Sequence, residues 1–196
     1  MTKSEKTRRM ILEKAAALFN QKGIAGTSMN DIMEATGLTK GGLYGNFESK
    51  DKIAEAAFDY AVESVWREVS VRTKLIEHTL DKLKAVVYFY KERVFTPPVE
   101  GGCPIMNTAV EADNNHPALQ KKVKEALDFW RYKIKISLEK GKEKGEVKPE
   151  IDSEEFATLF IATLEGGILL ARSYNQIEPF NITSRHLINM IEQLRL

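Results

Sequence analysis

Apolar residues recur along the chain at the three- and four-residue spacing of an α-helix, without the convincing alternation of a strand. The first stripe runs through Ile11, Ala15, Leu18 and Phe19, and Gly23 follows as a helix stop. This pattern predicts an all-α fold of about nine helices. They cover residues 4–22, 28–35, 39–47, a long segment capped by Ser49, 75–94, 104–113, 117–144, 153–174 and 183–196.

Polar residues mark several of the predicted helix starts. Ser28 with Asp31, and Asp152 with Glu155, have the spacing of a capping box, although Asp31 is a shorter acid than the usual glutamate. Pro117 fits the first position of a helix, where its missing N–H costs nothing. These signals set the predicted starts of the second, seventh and eighth helices.

The second and third predicted helices are short, and a tight turn in TGLT, residues 36–39, joins them. This arrangement is typical of a helix-turn-helix motif, whose second helix enters the major groove of DNA. Helices so short are not stable alone, so they must pack against another element, and the apolar stripe of the first helix can serve. Leu43 and Phe47 would then hold the third helix against this core. The alternative is a three-helix core with no role in DNA binding.

Glycines at the start of the third predicted helix need an explanation, because glycine is among the poorest helix formers. Gly41 and Gly42 make sense if the backbone must approach a DNA groove or phosphate closely. Lys40 and Tyr44 lie four residues apart on one face, where they can reach guanine edges or phosphates. The alternative is an irregular loop.

Charge is distributed unevenly along the 196 residues, although the net charge is only +1. Residues 1–52 contain nine basic and six acidic side chains, so this part is basic and the remainder is slightly acidic. Four of the basic residues lie at the N-terminal tip, where they could meet phosphates. They are Lys3, Lys6, Arg8 and Arg9.

Other functional classes find little support in the sequence. There is no metal-spaced His or Cys cluster, phosphate loop or nucleophile motif, so we expect no metal, no cofactor and no enzymatic activity. One cysteine, Cys103, excludes an internal disulfide and fits a reducing cytoplasm. We see no signal peptide, and the apolar run at 156–171 is too short and too polar for a membrane span.

Residues 27–53, TSMNDIMEATGLTKGGLYGNFESKDKI, resemble the DNA-binding motif of the tetracycline-repressor (TetR) family. The resemblance implies a helix-turn-helix DNA-binding domain at 1–52 and a helical effector-binding and dimerisation domain at 53–196. It also implies a homodimer that binds a double-stranded DNA operator, usually repressing transcription until a small molecule releases it. A helical interaction module that no longer binds an operator is the alternative function.

Position by position, the resemblance implies a set of DNA-binding residues. Thr27 and Ser28 would contact phosphate and Lys50 would lie near one. Family members often carry a larger side chain at the position of Gly45, and often His or Tyr at that of Asn46. The resemblance therefore does not say which bases these positions recognise. The full predicted set is Thr27, Ser28, Thr39, Lys40, Gly41, Gly42, Tyr44, Asn46 and Lys50.

The last two predicted helices carry broad apolar stripes and a glycine pair, Gly166 and Gly167. Two such helices from each of two chains would form a four-helix bundle, so we expect a homodimer through them. The alternative is that both stripes belong to the core of one chain. Their apolar members are Phe156, Leu159, Phe160, Leu164, Ile168, Ala171, Leu187, Ile188, Ile191 and Leu194.

Two further features are candidates for sensing an effector of unknown identity. The resemblance implies that aromatic helices surround an effector pocket, with Tyr88, Phe89 and Trp130 as candidate lining residues. The segment EGGCPIMN, residues 100–107, resembles a GGC element of a TetR subset, some of which respond to oxidants or electrophiles. A thiolate on Cys103 before Pro104 would be stabilised by the helix N-terminus. The alternative is a small buried filler.

Overall fold

The computed structural model describes residues 2–112 and 116–196. Within these two ranges the chain is helical, and its one strand-like contact is an isolated bridge between Val147 and Arg195. The all-α prediction is confirmed. The described helices are α1 (Lys3–Lys22), α2 (Met29–Thr36), α3 (Lys40–Tyr44), α4 (Lys50–Thr73), α5 (Thr79–Arg93), α6 (Pro104–Ala112), α7 (Pro117–Glu143), α8 (Ser153–Tyr174) and α9 (Glu178–Gln193).

Three helix bounds differ clearly from the predictions. α5 begins at Thr79 because the His78 ring accepts the Leu80 N–H at 3.2 Å, so Leu75 lies outside the helix and is 85% exposed. α9 begins at Glu178, five residues earlier than predicted, with a proline in its first turn. α3 has only five helical residues. The predicted end of the sixth helix, Asp113, lies outside the described residues.

The predicted caps are formed to different extents. Ser28 and Asp31 make both hydrogen bonds of a capping box at the start of α2. Asp152 accepts the N–H groups of Glu154 and Glu155, but the Glu155 carboxylate does not bind the Asp152 N–H in return, so only half of this capping box is formed. α1 has a further capping box that the sequence reasoning missed, between Thr2 and Glu5.

The chain divides into two compact units, and α4 and α7 run through both. Unit 1 comprises Met1–Val65 and Pro97–Glu125. Its core is formed where α1, α2, α3 and the first turns of α4 meet, with Val99 from the segment before α6. Neither unit begins at the predicted domain boundary of residue 53. The core side chains include Ile11, Ala15, Ile32, Leu43, Phe47, Ile53 and Ala57.

Unit 2 comprises Trp66–Thr96 and Ala126–Leu196, and α9 packs against both α5 and α8 within it. Gly167 lies so close to α9 that a Cβ there would approach Thr183 Cγ2 to 2.7 Å. By length and composition alone, α8 is the one described helix apolar enough to cross a membrane, and core helices meet the same test. Its buried face includes Phe156, Phe160, Leu164, Ile168 and Ala171.

Candidate nucleic-acid interface

The turn between α2 and α3 is built by two residues with defined roles. Gly37 takes a left-handed conformation with φ of 68° and donates its N–H to Met33 O at 2.8 Å, which ends α2. Thr39 then caps α3, because its Oγ1 accepts the Gly42 N–H at 3.2 Å. Only three residues therefore separate α2 from α3, which is the tight turn that the sequence predicts.

Two apolar side chains hold α3 against the rest of unit 1. Leu43 is fully buried and Phe47 almost so, and both belong to the core that Ile11 and Ile32 share. The predicted anchors of the third helix are thus confirmed. Because α3 has little intrinsic stability, this burial is the main force that keeps it helical.

The opposite face of α3 is open to solvent. Lys40, Tyr44 and Gly41 are exposed, and Thr39 is exposed at the cap. The Lys40 ammonium lies 5.9 Å from the centre of the Tyr44 ring, so the two side chains form one continuous polar and aromatic surface. Asn46 is half-buried, and its side-chain amide donates to Gly42 O at 2.8 Å.

No contact or backbone angle inside the protein requires glycine at residues 41 and 42. A Cβ at Gly41 would meet nothing within 4 Å, and one at Gly42 would make ordinary contacts of 3.6 Å with Leu38 and Thr39. Neither glycine has a positive φ, and Gly45 lies in the ordinary helical region with φ of −69°. Alanine would therefore fit at residues 41 and 42, where it would favour the helix by up to about 1 kcal/mol each.

Three more residues of the predicted DNA-binding set lie around the start of α2. Thr27 is fully buried, and its hydroxyl donates to Gly23 O at 2.7 Å. The Lys50 ammonium donates to Ile24 O at 2.8 Å and to Thr27 O at 3.1 Å. Ser28 is exposed and caps α2. Of these three residues only Ser28 is exposed, and its hydroxyl is hydrogen-bonded to Asp31.

The cap of α2 is electrostatically strong. The Ser28 hydroxyl, the Lys22 ammonium and the Ser28 N–H hold the pKa of Asp31 well below the ordinary value of an aspartate. The Lys22 Nζ lies 2.9 Å from Asp31 Oδ1. The carboxylate therefore stays ionised at the N-terminus of α2, where the helix dipole also favours negative charge.

A hydrogen-bonded latch joins α6 to the end of α1 within unit 1. The Glu111 carboxylate accepts the N–H groups of Ile24 and Ala25 at 2.7 and 2.6 Å. Asn107 Nδ2 donates to Asn20 Oδ1 at 2.9 Å and to the Asn20 backbone oxygen at 3.1 Å. These contacts link residues almost 90 positions apart, so no local sequence pattern could have revealed them.

The glycines of the GGC segment serve the same latch. Gly101 has a φ of 112°, and a Cβ there would approach Asn20 O to 2.5 Å. Asn20 Nδ2 donates to Glu100 O and Gly102 O, at 2.8 and 3.1 Å. Cys103 is half-buried, and its carbonyl accepts the Asn107 N–H at 3.1 Å, as expected immediately before α6.

Unit 2 contains a surface cleft of about 580 Å³ between α4 and α5. Of the aromatic candidates, Phe89 lines it and is only 4% exposed. Trp130 is buried and stacks on Tyr90 at 5.9 Å, whereas Tyr88 is exposed on α5. Two ion pairs cross the cleft walls. The lining residues are Arg67, Glu68, Val71, Arg72, Phe89, Glu92 and Arg93.

The ion pairs of the cleft differ in strength. Arg72 binds both Glu92 oxygens, at 2.8 and 2.6 Å, and this guanidinium holds the pKa of Glu92 below its usual range. Arg93 lies 3.1 Å from Glu68. Arg67 makes no side-chain hydrogen bond or ion pair with the described residues, so the cleft retains one available cation.

An apolar face of α8 and α9 is exposed in unit 2. The exposed apolar side chains are Leu159, Leu170 and Tyr174 on α8 and Ile182 on α9. Most members of the predicted dimer stripe, among them Phe160, Leu164 and Leu187, are instead buried within unit 2, so for them the alternative of a core within one chain holds. A Cβ at Gly166 would meet nothing within 4 Å, so this glycine is not required by packing inside the chain. Among the described residues, no group of three or more His, Cys, Asp or Glu side chains is arranged to hold a metal ion.

Two family models match the chain. The model of bacterial regulatory proteins, tetR family, matches residues 11–57, and the model of the tetracyclin repressor-like C-terminal domain matches residues 79–187, more than half of the chain. The chain belongs to the TetR family. It is a DNA-binding transcriptional regulator, and its helix-turn-helix lies within the first matched segment.

Similar proteins support the same assignment over the whole chain. A TetR transcriptional regulator from Chloroflexus aurantiacus has 43% identity and a TM-score of 0.95, with 100% of both chains covered. A TetR-family regulator from Cytophaga hutchinsonii has 34% identity and a TM-score of 0.91, covering 100% of this regulator and 98% of that chain. An uncharacterised HTH-type regulator of Mycobacterium tuberculosis is 27% identical, covering 93% and 92%.

Proposed function

We propose that this regulator represses transcription by placing the start of α3 against the major groove of an operator, and that a small molecule releases it. One observation carries the proposal. Gly41 and Gly42 lie at the solvent-facing start of α3, and no contact inside the protein requires glycine at either position. Such a surface lets backbone N–H groups approach a duplex closely. The cytoplasm, where operator DNA lies, is the compartment that we infer.

We infer two groups among the predicted DNA-binding residues. Lys40, Tyr44 and Thr39 present exposed groups that can bind base edges and phosphates. Thr27 and Lys50 bind backbone carbonyls, so we infer that they shape the surface and do not contact phosphate themselves. Asn46 belongs with them, because its amide donates to Gly42 O. The proposed contact set is Ser28, Thr39, Lys40, Gly41, Gly42 and Tyr44.

Substitution of the exposed pair tests operator binding. Lys40→Ala and Tyr44→Ala should each weaken binding to the DNA flanking the regulator's own gene by about tenfold, because each removes a contact worth roughly 1–3 kcal/mol. Electrophoretic mobility shifts measure the change. Lys74→Ala is the matched control, since Lys74 is exposed and makes no side-chain ion pair with described residues. Unchanged affinity in both variants would favour an interaction module without operator binding.

We infer that the regulator forms a homodimer through α8 and α9. The exposed stripe through Leu159, Leu170 and Ile182 has the composition of an interface core, and Gly166 permits close approach of a second helix. Helix-turn-helix heads also need two-fold symmetry to read paired half-sites. Light scattering should give roughly half the wild-type molar mass for Leu170→Asp but not for Val110→Asp, since Val110 is exposed on α6. A dimeric Leu170→Asp would contradict this assignment.

For effector binding, we infer a site in the cleft beside Phe89. The buried ring supplies an apolar wall, and the available Arg67 cation favours a ligand with a negative group. Val71→Trp would fill the cleft from its exposed wall, so ligands that raise the melting temperature of the wild type should fail with the variant. Equal shifts in both proteins would place the effector elsewhere.

Cys103 is a second candidate for sensing, as a thiol that responds to oxidants or electrophiles. It lies directly before α6, which carries the latch to α1, so its modification would disturb Asn107 and its partners. Thiol labelling of the folded regulator should be faster than that of a model peptide. An equal or slower rate would remove the thiol from the mechanism.

A further inference from the structure

Arg8 lies on α1, but its guanidinium contacts the segment that follows α3. Its Cζ lies 3.9 Å from the centre of the Phe47 ring, and its Nη1 donates to the backbone oxygen of Asn46 at 2.5 Å. A guanidinium suits both partners, because its planar face stacks on an aromatic ring while its edge donates hydrogen bonds. Arg8 therefore connects two parts of unit 1 that are 38 residues apart.

The Arg8 contact falls on the turn directly after α3. The N–H groups of Asn46 and Phe47 both bind Leu43 O, at 2.9 and 3.0 Å, and the Asn46 amide binds Gly42 O. Residues 46 and 47 thus continue the turn of the helix. The guanidinium occupies the C-terminal end, where free carbonyls and the negative end of the dipole favour a cation.

The neighbouring cations have no such attachment. Lys3, Lys6 and Arg9 are exposed, and none makes a side-chain hydrogen bond or ion pair with the described residues. They are therefore available to DNA phosphates. Arg9 is a close match for Arg8, because it is the same residue type, lies next in the same helix and is similarly exposed.

The Arg8 contacts matter because the orientation of α3 depends entirely on its contacts with the rest of unit 1. Five helical residues have no stability alone, so the direction of the helix follows from its contacts. Leu43 and Phe47 fix its inner face, while Arg8 fixes its end. A small rotation of α3 would move Lys40 and Tyr44 relative to the base edges that they read, and hydrogen bonds to bases tolerate little misalignment.

We propose that Arg8 is a positioning residue that fixes the end of α3 and so sets the sequence specificity of DNA binding, rather than a phosphate contact. The proposal rests on operator binding by α3. A positioning residue and a phosphate contact differ measurably. Loss of a phosphate contact weakens binding to all sequences and lowers the salt dependence, whereas misplacement of α3 weakens only specific binding.

The test uses the full-length regulator and three variants, Arg8→Ala, Arg8→Lys and Arg9→Ala. One DNA probe is a duplex that the wild type enriches from a random-sequence pool, and the other is a scrambled duplex of the same composition. Fluorescence anisotropy gives Kd for both probes at several potassium chloride concentrations between about 50 and 200 mM. Circular dichroism checks that each variant is folded.

We expect Arg9→Ala to weaken both probes equally and to lower the slope of log Kd against log salt by about 0.9. Both Arg8 variants should instead lower the ratio of specific to scrambled affinity by about tenfold or more, with binding to the scrambled duplex unchanged. We expect Arg8→Lys to behave like Arg8→Ala, because lysine keeps the positive charge but lacks the planar guanidinium that stacks on Phe47. If Arg8→Ala does not fold, the specificity ratio of Arg8→Lys alone tests the proposal.

An unchanged specificity ratio in Arg8→Lys would overturn the proposal. So would equal weakening of both probes, with a salt slope reduced as in Arg9→Ala. A wild-type regulator that enriches no duplex would refute operator binding itself, and the role of Arg8 with it. Failure of the Arg8 proposal alone would look different. The wild type would enrich a duplex, and the Arg8 variants would keep the same ratio of specific to scrambled affinity.

Discussion

The peptide groups of Ile24 are held from both sides by charged side chains. Its N–H donates to the Glu111 carboxylate at 2.7 Å, and its carbonyl accepts from the Lys50 ammonium at 2.8 Å. Lys50 also binds Thr27 O. Hydrogen bonds to charged groups are worth roughly 1.5–3 kcal/mol, so these contacts stabilise the turn before α2.

Removal of the Lys50 ammonium should therefore affect stability more than electrostatics. We expect Lys50→Ala to lower the free energy of unfolding by about 1–3 kcal/mol, because two partly buried carbonyls lose a charged donor and Ile24 O keeps, among the described residues, only the Thr27 N–H at 3.4 Å. Urea denaturation measures this change. Lys74→Ala is the control and should stay close to the wild type, since Lys74 is exposed and makes no side-chain ion pair with the described residues. A drop of about one in the DNA salt slope at unchanged stability would instead make Lys50 a phosphate contact.

Asp31 makes the stability of unit 1 depend on pH in a predictable direction. Its pKa is lowered in the folded state, so the ionised carboxylate stabilises the fold above the ordinary aspartate value of about 3.9. This contribution is lost as pH falls below that value. Asp31→Asn should thus lower the melting temperature at pH 7.

The difference in melting temperature between Asp31→Asn and the wild type should shrink steadily as pH falls below about 4. Asp51→Asn provides the matched control, since Asp51 lies exposed in the first turn of α4 and its substitution should matter less. A constant difference between Asp31→Asn and the wild type from pH 7 to pH 3 would show that the charge of the cap is not the cause.

At the scale of elements, two side chains of α6 bind the backbone at the end of α1. Glu111 accepts hydrogen bonds from backbone N–H groups, and Asn107 donates to a backbone carbonyl. Glu111→Gln keeps the shape of the side chain but removes its charge and one acceptor. We expect the amides of Ile24 and Ala25 to exchange hydrogen faster, and stability to fall by about 1–2 kcal/mol. Glu63→Gln, at an exposed position of α4, serves as the control. Unchanged exchange at these two amides would mean that the latch contributes little in solution.

Some elements were predictable because their signals are local. Ser28 with Asp31 fixed the start of α2 correctly, and Leu43 with Phe47 identified the buried face of α3. The start of α9 was missed because Pro179, rather than Thr183, marks its first turn. Leu75 misled the prediction of α5, since its apolar side chain lies in an exposed segment outside any helix.

The connections between elements were beyond sequence reasoning. Glu111 and Asn107 find their partners almost 90 residues away, and Arg8 finds its partner 38 residues away. Such pairs carry no periodic pattern and no fixed spacing. Lys50 was assigned to phosphate by resemblance, whereas its neighbours Ile24 and Thr27 became visible only in the fold.

At the scale of the molecule, the proposed DNA-binding surface and the proposed dimer interface belong to different units. The exposed start of α3 belongs to unit 1, and the apolar stripe of α8 and α9 belongs to unit 2. A homodimer through α8 and α9 would present two α3 helices to two half-sites of one operator. Half-sites for such dimers lie about 34–36 Å apart, or multiples of this distance, so the protected DNA should be a pseudo-palindrome.

Gly41→Ala and Gly42→Ala test the central claim most directly, because alanine fits both positions inside the protein. Each variant should melt at a higher temperature than the wild type, by virtue of better helix propensity, and yet bind the operator at least about tenfold more weakly. Ser70→Ala, at an exposed position of α4, should leave operator binding unchanged. Variants with alanine at 41 and 42 that gain stability and bind the operator as tightly as the wild type would contradict the account.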